Sequence, residues 1–267
     1  MTVENLKPLL ESVKNIAQVA GEKILKIYGE EFSVDIKQDT SPLTAADLAA
    51  HVYITEELAK ISDLPILSEE SAQIDYSERQ QWQTYWLVDP LDGTKEFIKR
   101  NGDFTVNIAL IHGDKVVLGV VYVPVSGVYY FAAAGEGAFK QTGAGEVSVI
   151  QVRQSVPEKL TVVGSRSHIT PELKQYLSRL PEHQLTSMGS SLKLCLVAEG
   201  VADLYPRIGL TSEWDTAAAQ CVVEQAGGAV MDIKGNPLSY NQKESLLNPY
   251  FLVFADTQQD WLKYLCD

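Results

Sequence analysis

The segment WLVDPLDGTKEF, residues 86 to 97, sets two carboxylates, Asp89 and Asp92, on either side of a proline and just before a glycine. Proline removes a backbone donor and glycine permits a left-handed turn, so an apolar strand is expected to end at Asp89 and the turn to expose both acids. Such a turn suits a hard divalent cation such as Mg²⁺, because carboxylates and the backbone carbonyl of Leu91 offer oxygen ligands to adjacent ions. If a helix begins directly afterwards, the N–H groups of Gly93 and Thr94 can face a phosphate, since helix N-termini favour anions. The plain alternative is an Asp-Gly turn between strands whose aspartates bond their own backbone. This segment alone leaves the two readings level.

Other acids bear on the choice. ILSEES places Glu69 and Glu70 directly after a short apolar strand, and SEWD places Asp215 at a helix start. Each has an ordinary reading: Asp215 with Ser212, and Asp47 with Thr44, fit the pattern of a capping box, and Glu69 can be a solvated strand end.

The elements that must position these acids follow from periodicity. Leu6, Leu9, Leu10, Val13, Ile16, Ala17, Ala20, Ile24 and Leu25 recur at helical steps and predict an amphipathic helix; a second is expected over 44–60. PILS, YWLVD, FTVNIALIHGD, KVVLGVVYVPVSG and VYYFAAAG are short β-branched and aromatic runs broken by Gly, Pro or Asp, which predicts an antiparallel sheet packed on helices. After Gln151 the texture changes to KLTVVGSRSH, a helical TPELKQYLSRL, GSSLKLCLVAEG, ADLYP, a helix over 212–225 and a last strand, YFLVFAD. In that helix Trp214, Ala217, Ala218, Cys221 and Val222 form the apolar stripe, Gly227 marks the stop, and Asp215 falls in the first turn. A boundary is expected near residue 150, giving an α+β half over 1–150 with most of the candidate ligands and an α/β half over 151–267 with Asp215.

With 267 residues, 45% hydrophobic and 21% charged, the chain can bury a sizeable core. A net charge of -13 argues against a sequence-independent grip on a nucleic acid polymer, which is built from clustered Lys and Arg. Cys195, Cys221 and Cys266 are odd in number and lack metal-ligand spacing, so they read as reduced thiols. The N-terminal stretch lacks the pattern of a signal peptide and no apolar run is long enough for an integral membrane segment. A cytoplasmic setting is the expectation; peripheral attachment to the cytoplasmic face of the inner membrane stays open, with no basic amphipathic helix arguing for it.

WLVDPLDGT, SEE about twenty residues earlier and WDTAAAQCVVEQAGG downstream together resemble the two signature regions of the inositol monophosphatase superfamily, across nearly the whole chain and in the expected order. The resemblance implies a layered αβαβα fold. It implies metal ligation by Glu69, Asp89, the Leu91 carbonyl, Asp92 and Asp215, with two or three Mg²⁺ per active site. It further implies that Asp47 and Thr94 orient the attacking water and that the Gly93 and Thr94 amides hold the scissile phosphate.

GSRSH at 164–168, with SSLKL and the Arg of YPRIG, resembles the 3'(2'),5'-bisphosphate nucleotidase branch of the superfamily, the CysQ type. The substrate implied is a small nucleotide bisphosphate, adenosine 3',5'-bisphosphate or its sulfated relative 3'-phosphoadenylyl sulfate, and lithium sensitivity goes with it. By that correspondence His168 lies against adenine, and Ser165, Ser190, Lys193 and Arg207 complete the substrate site, Ser and Lys reaching the phosphate that is not cleaved. The resemblance also implies that Glu69, Leu91, Asp92 and Asp215 contact substrate as well as metal, and that Gly93 and Thr94 contact substrate. His168 otherwise reads as a surface residue and Lys193 as a snorkelling one; His51, His112 and His183 read as structural. A monomer and a homodimer both fit.

The expected chemistry is hydrolysis by metal-activated water without a phosphoenzyme. A rival reading takes D-G-T as the end of a haloacid dehalogenase motif with a phosphorylated aspartate, but Pro90 and the two-residue separation of Asp89 and Asp92 oppose it. Inositol monophosphatase or fructose bisphosphatase activity on the same cluster is the sibling alternative, and a non-catalytic metal- or phosphate-binding scaffold is the alternative of another class.

Overall fold

The computed structural model describes residues 6–30, 42–164 and 170–265. Two long helices open the chain, α1 (Lys7–Tyr28) and α2 (Pro42–Ile61), with Asp47 inside α2. Strand β1 (Ile66–Ser68) leads through a single 3₁₀ turn at Glu69–Ser71 to the short helix α3 (Tyr76–Arg79), then β2 (Thr84–Asp92) and the short helix α4 (Thr94–Ile98). The sheet continues as β3 (Thr105–His112), β4 (Lys115–Val123), β5 (Val128–Ala133), β6 (Gly137–Thr142) and β7 (Ser148–Ile150). These seven strands lie in chain order, with β1 parallel to β2 and every later pairing antiparallel.

The second sheet is built from β8 (Leu160–Gly164), β9 (His183–Ser187), β10 (Leu204–Arg207), β11 (Ala229–Asp232) and β12 (Phe251–Phe254), in the order β11-β12-β10-β8-β9. Its helices are α5 (Pro171–Arg179), capped by the Thr170 hydroxyl, α6 (Leu192–Ala198) and α7 (Ala217–Gln225).

Five layers result, αβαβα. One face of the first sheet, with Trp86, Val88, Ile108 and Val120, packs on α1 and α2; the other, with Tyr85, Leu87, Ile111 and Val121, packs on α6 and α7. Those two helices meet the second sheet at Val163, Tyr205 and Val253, whose far side, with Val162, Leu204 and Leu252, is covered by Leu173 and Tyr176 of α5. Burial on both faces is why β2 to β5 read as nearly continuous apolar runs, and each fully buried Val, Leu or Ile contributes about 1.5–3 kcal/mol.

The sheet expected to be antiparallel holds one parallel pair, β1 with β2, and two further sequence expectations differ from the structure. Strand β2 does not end at Asp89 but runs to Asp92, with a register shift between the two, and Asp89 is buried rather than exposed. The helix expected from 212 begins only at Ala217, so Asp215 lies in the turn before it. Strands β6, β7, β9 and β11 were not legible: β9 is a sheet edge with mostly outward polar residues, and β7 and β11 are only three and four residues long.

Candidate active site

Asp89 pairs with Asn107 across the sheet, and its Oδ1 accepts the Leu91 N–H at 3.0 Å, which fixes the irregular stretch of β2 around Pro90. Gly93 then adopts φ 97°, a left-handed conformation in which a side chain is strained, and α4 starts at Thr94. A Cβ on Gly93 would also lie 3.2 Å from the Asp103 carbonyl and from Phe104. The helix start that the anion reading required is therefore present, with its first N–H groups left without an intrahelical acceptor.

Glu69 arrives from the turn after β1 and Asp215 from the turn before α7. One carboxylate oxygen from each of Glu69, Asp89 and Asp215 lies within 4.8 Å of the other two. Neither capping-box reading accounts for the acids: Asp47 is buried within α2, and although Asp215 Oδ2 accepts the Ser212 N–H at 3.0 Å, it does so in a turn ahead of the helix.

Bare, this cluster repels itself. Burial, then Glu70 and Glu69, pushes Asp47 up to about 8; burial, then Asp92, pushes Asp215 up to about 7. Asp89 stands well above the usual carboxylate range through burial and then Asp92, Glu69, Asp215 and Asp47; burial, Asp92 and Glu70 raise Glu69. Asp92 is raised by burial against the opposing pull of Lys193 and the Ser191 N–H. Asp89 Oδ2 and Asp47 Oδ1 are buried and have no hydrogen-bond partner among the described residues. A concentration of oxygen donors with unanswered buried charge fits a hard divalent cation.

The sign of the electrostatics gives a measurable consequence. Raised carboxylate pKa values mean that the folded state holds more protons than the unfolded one, so their contribution is full below about pH 4 and is lost as pH rises through 7 to 8. In chelator, the melting temperature is expected to fall steadily from pH 5 to 8.5, and saturating Mg²⁺ to flatten that slope; a metal-free protein that melts higher at pH 8.5 than at pH 5 would contradict the cluster.

Across from the acids, Ser190 holds a left-handed backbone (φ 44°), Lys193 is buried and donates to the Ser190 carbonyl, and Arg207 donates from Nε to the Thr211 hydroxyl and from Nη2 to the Leu210 carbonyl. Burial pulls the Lys193 ammonium below its usual range while Asp92 opposes the shift. A cavity of about 60 Å³ brings Asp92, Ser190, Lys193, Tyr205, Arg207 and Asp215 onto one surface. A larger one, about 310 Å³, opens beyond Arg207 between Thr170, Leu173, Pro206 and Leu210. Ser165 and His168 lie outside the described residues. Leu91 is buried beside Asp89, and Thr94 is exposed at the start of α4.

Some polar residues of the site were not singled out by sequence. The Ser191 N–H donates to Asp92 Oδ2, and its hydroxyl lies 3.0 Å from Thr105 Oγ1 and 2.9 Å from Asn107 Oδ1. A lone asparagine in the apolar run FTVNIALIH was the available signal. His51, read as structural, has Nδ1 2.9 Å from the hydroxyl of Ser68, the residue before Glu69.

A model of the inositol monophosphatase family matches residues 5–262. The chain belongs to the inositol monophosphatase family. Within that family it is 53% identical over 248 residues to the 3'(2'),5'-bisphosphate nucleotidase CysQ of Escherichia coli (strain K12), covering 92% of this chain and 99% of that one. The CysQ nucleotidase of Salmonella typhimurium is 54% identical over the same length, with the same coverage. Among solved structures, CysQ from Bacteroides thetaiotaomicron, a bacterial member of the family, superposes with a TM-score of 0.86 at 44% identity, covering 94% of this chain and 99% of that one. An inositol monophosphatase from Zymomonas mobilis shares the fold at a TM-score of 0.80 and 21% identity, covering 98% of each chain. No described helix is long and apolar enough to cross a membrane.

Proposed function

We propose that this protein is a Mg²⁺-dependent 3'(2'),5'-bisphosphate nucleotidase that hydrolyses the 3'-phosphate of adenosine 3',5'-bisphosphate to AMP and phosphate, and acts likewise on 3'-phosphoadenylyl sulfate. The observation that carries the reading is the cavity in which Asp92 and Asp215 face Lys193, Arg207 and Ser190. That surface offers cation-binding oxygens on one side and anion-binding groups on the other, which a substrate with two separate phosphates requires. The high identity to CysQ nucleotidases over nearly the whole chain supports the nucleotide over a single-phosphate substrate.

Glu69, Asp89, Asp92, Asp215 and the Leu91 carbonyl would hold two or three Mg²⁺. Bound there, the metal supplies an acidified water and neutralises charge on the phosphoryl and leaving oxygens. The chain's own groups set the geometry. Asp47 presents a buried oxygen with no hydrogen-bond partner among the described residues, placed to accept a hydrogen bond from the attacking water. Thr94 shares that task, while the Gly93 and Thr94 N–H groups hold the scissile phosphate. The water oxygen bonds to phosphorus as the P–O3' bond breaks. Lys193, Arg207 and Ser190 anchor the phosphate that stays, so remote binding energy orients the one that leaves; Ser165 and His168 complete the nucleoside side. The ligands then come from both halves of the chain, 1–150 and 151–267, with Asp215 contributed by the second.

The test is phosphate release in Mg²⁺ from adenosine 3',5'-bisphosphate against inositol 1-phosphate, in the parent and in Lys193→Met. The parent is expected to prefer the nucleotide strongly. Lys193→Met is expected to raise KM for the nucleotide about 10- to 100-fold, the loss of one charge-assisted hydrogen bond, with a far smaller effect on inositol 1-phosphate. Equal loss on both substrates would remove Lys193 from the anchor, and a parent that prefers inositol 1-phosphate would keep the metal cluster and overturn the substrate.

A further inference from the structure

Glu69 and Asp215 both sit on turns, so the spacing of their carboxylates depends on whatever holds those turns relative to each other. The Asp215 turn is bonded along its length to the stretch 241–248. Glu213 N–H donates to the Leu246 carbonyl at 2.8 Å and Asn248 N–H to the Thr211 carbonyl at 2.7 Å. The Asn248 side-chain amide donates to the Ser212 carbonyl and to Thr216 Oγ1, both at 2.9 Å. The Glu213 carboxylate, fully buried, accepts from the Asn241 N–H at 2.8 Å and from Lys243 Nζ at 3.1 Å.

That stretch is in turn gripped by Arg79, the last residue of α3. Its guanidinium donates from Nη1 to Asn241 Oδ1 at 2.6 Å and to the Lys243 carbonyl at 3.1 Å, and from Nη2 to the Glu244 carbonyl, while the Asn241 amide donates back to the Arg79 carbonyl. Arg79 lies on the segment that runs on from Glu69. A buried network therefore links Arg79, on the chain segment that follows Glu69, through Asn241 and Glu213 to the turn that carries Asp215. Buried charge-assisted bonds of this kind are stiff, because leaving either partner alone is costly.

We propose that Arg79, Asn241 and Glu213 form a positioning brace that sets the separation of the Glu69 and Asp215 carboxylates and so tunes the affinity of the cluster for Mg²⁺. The proposal rests on the cluster being the Mg²⁺ site. These are positioning residues: they act on the ligands' turns, and groups that orient metal ligands commonly change metal affinity 10- to 100-fold when removed.

The experiment titrates Mg²⁺ calorimetrically into chelator-stripped protein and follows the Mg²⁺ dependence of phosphate release for the parent, Asn241→Gly and Lys243→Met. Asn241 already has φ 57°, so glycine keeps its backbone and deletes only the bonds to Arg79. Asn241→Gly is expected to bind Mg²⁺ roughly tenfold more weakly, and Lys243→Met, which loses one partly exposed ion pair, about threefold more weakly. In both, kcat and KM at saturating Mg²⁺ stay within about twofold of the parent, a split that general destabilisation does not produce. Parent-like Mg²⁺ affinity in both variants, or a loss of turnover that excess Mg²⁺ does not restore, would overturn the brace. If Asn241→Gly does not fold, Lys243→Met alone decides, since its side chain is 42% exposed. A parent that fails to bind Mg²⁺ would instead overturn the metal reading on which the brace depends.

Discussion

Asp89→Asn is expected to lower phosphate release by roughly 10³-fold or more, several kcal/mol of transition-state stabilisation, while the metal-free protein melts higher than the parent. The two halves of this result have one cause. Asp89 is 1% exposed, and one of its oxygens has no hydrogen-bond partner among the described residues. Its charge is opposed by Asp92, Glu69, Asp215 and Asp47. Replacing it with the isosteric amide removes a group that the bare fold keeps only by binding a proton or by holding a charge among like charges, which stabilises that fold at no cost in volume. The same change removes the central oxygen donor of the cluster, so the rise in melting temperature that Mg²⁺ produces in the parent disappears along with activity. Calorimetry with and without Mg²⁺, beside a phosphate-release assay, reads both. A variant that keeps turnover within tenfold, or that melts well below the parent in chelator, would show that Asp89 has a structural rather than a ligating role.

Gly119→Ala is expected to destabilise the fold by about 3 kcal/mol or more, although it adds one methyl group. Gly119 is in β4, where the strand passes under α7, and a Cβ there would lie 2.2 Å from the Ala218 carbonyl oxygen and 2.9 Å from its Cα. Both belong to backbone, so the helix must shift or the strand must bend. Because α7 follows the Asp215 turn directly, the shift also reaches the site, and Mg²⁺ binding is expected to weaken in parallel. Equilibrium denaturation gives the stability change; a loss under 0.5 kcal/mol would mean that the contact of α7 with the first sheet is looser than its geometry implies.

Much of this molecule is legible in its sequence. Helical spacing from Leu6 to Leu25 marks α1, because a helix buried on one face imposes its period on the chain, and the β-branched runs mark β1 to β5, because strands buried on both faces need apolar residues nearly throughout. The acidic residues, the helix start after Gly93 and the family are readable for a similar reason: metal and phosphate chemistry restricts residue type and backbone conformation within a few adjacent positions.

Tertiary structure decided what depends on residues far apart in sequence. That Asp89 is buried rather than displayed on a turn follows from β2 continuing past it through its bulge alongside β3. That Asp215 lies in a turn ahead of α7 follows from Glu213 and Ser212 bonding to the 241–248 stretch rather than entering the helix. The closeness of Glu69, Asp89 and Asp215, and the clasp of Arg79 on Asn241 across 162 positions, arise only when two sheets close on α6 and α7. Sequence alone determined which groups could do the chemistry, since side-chain identity and local backbone preference are written residue by residue. Only packing between distant segments determined their distances, burial and shared charge, since those quantities belong to pairs of residues that no local pattern connects.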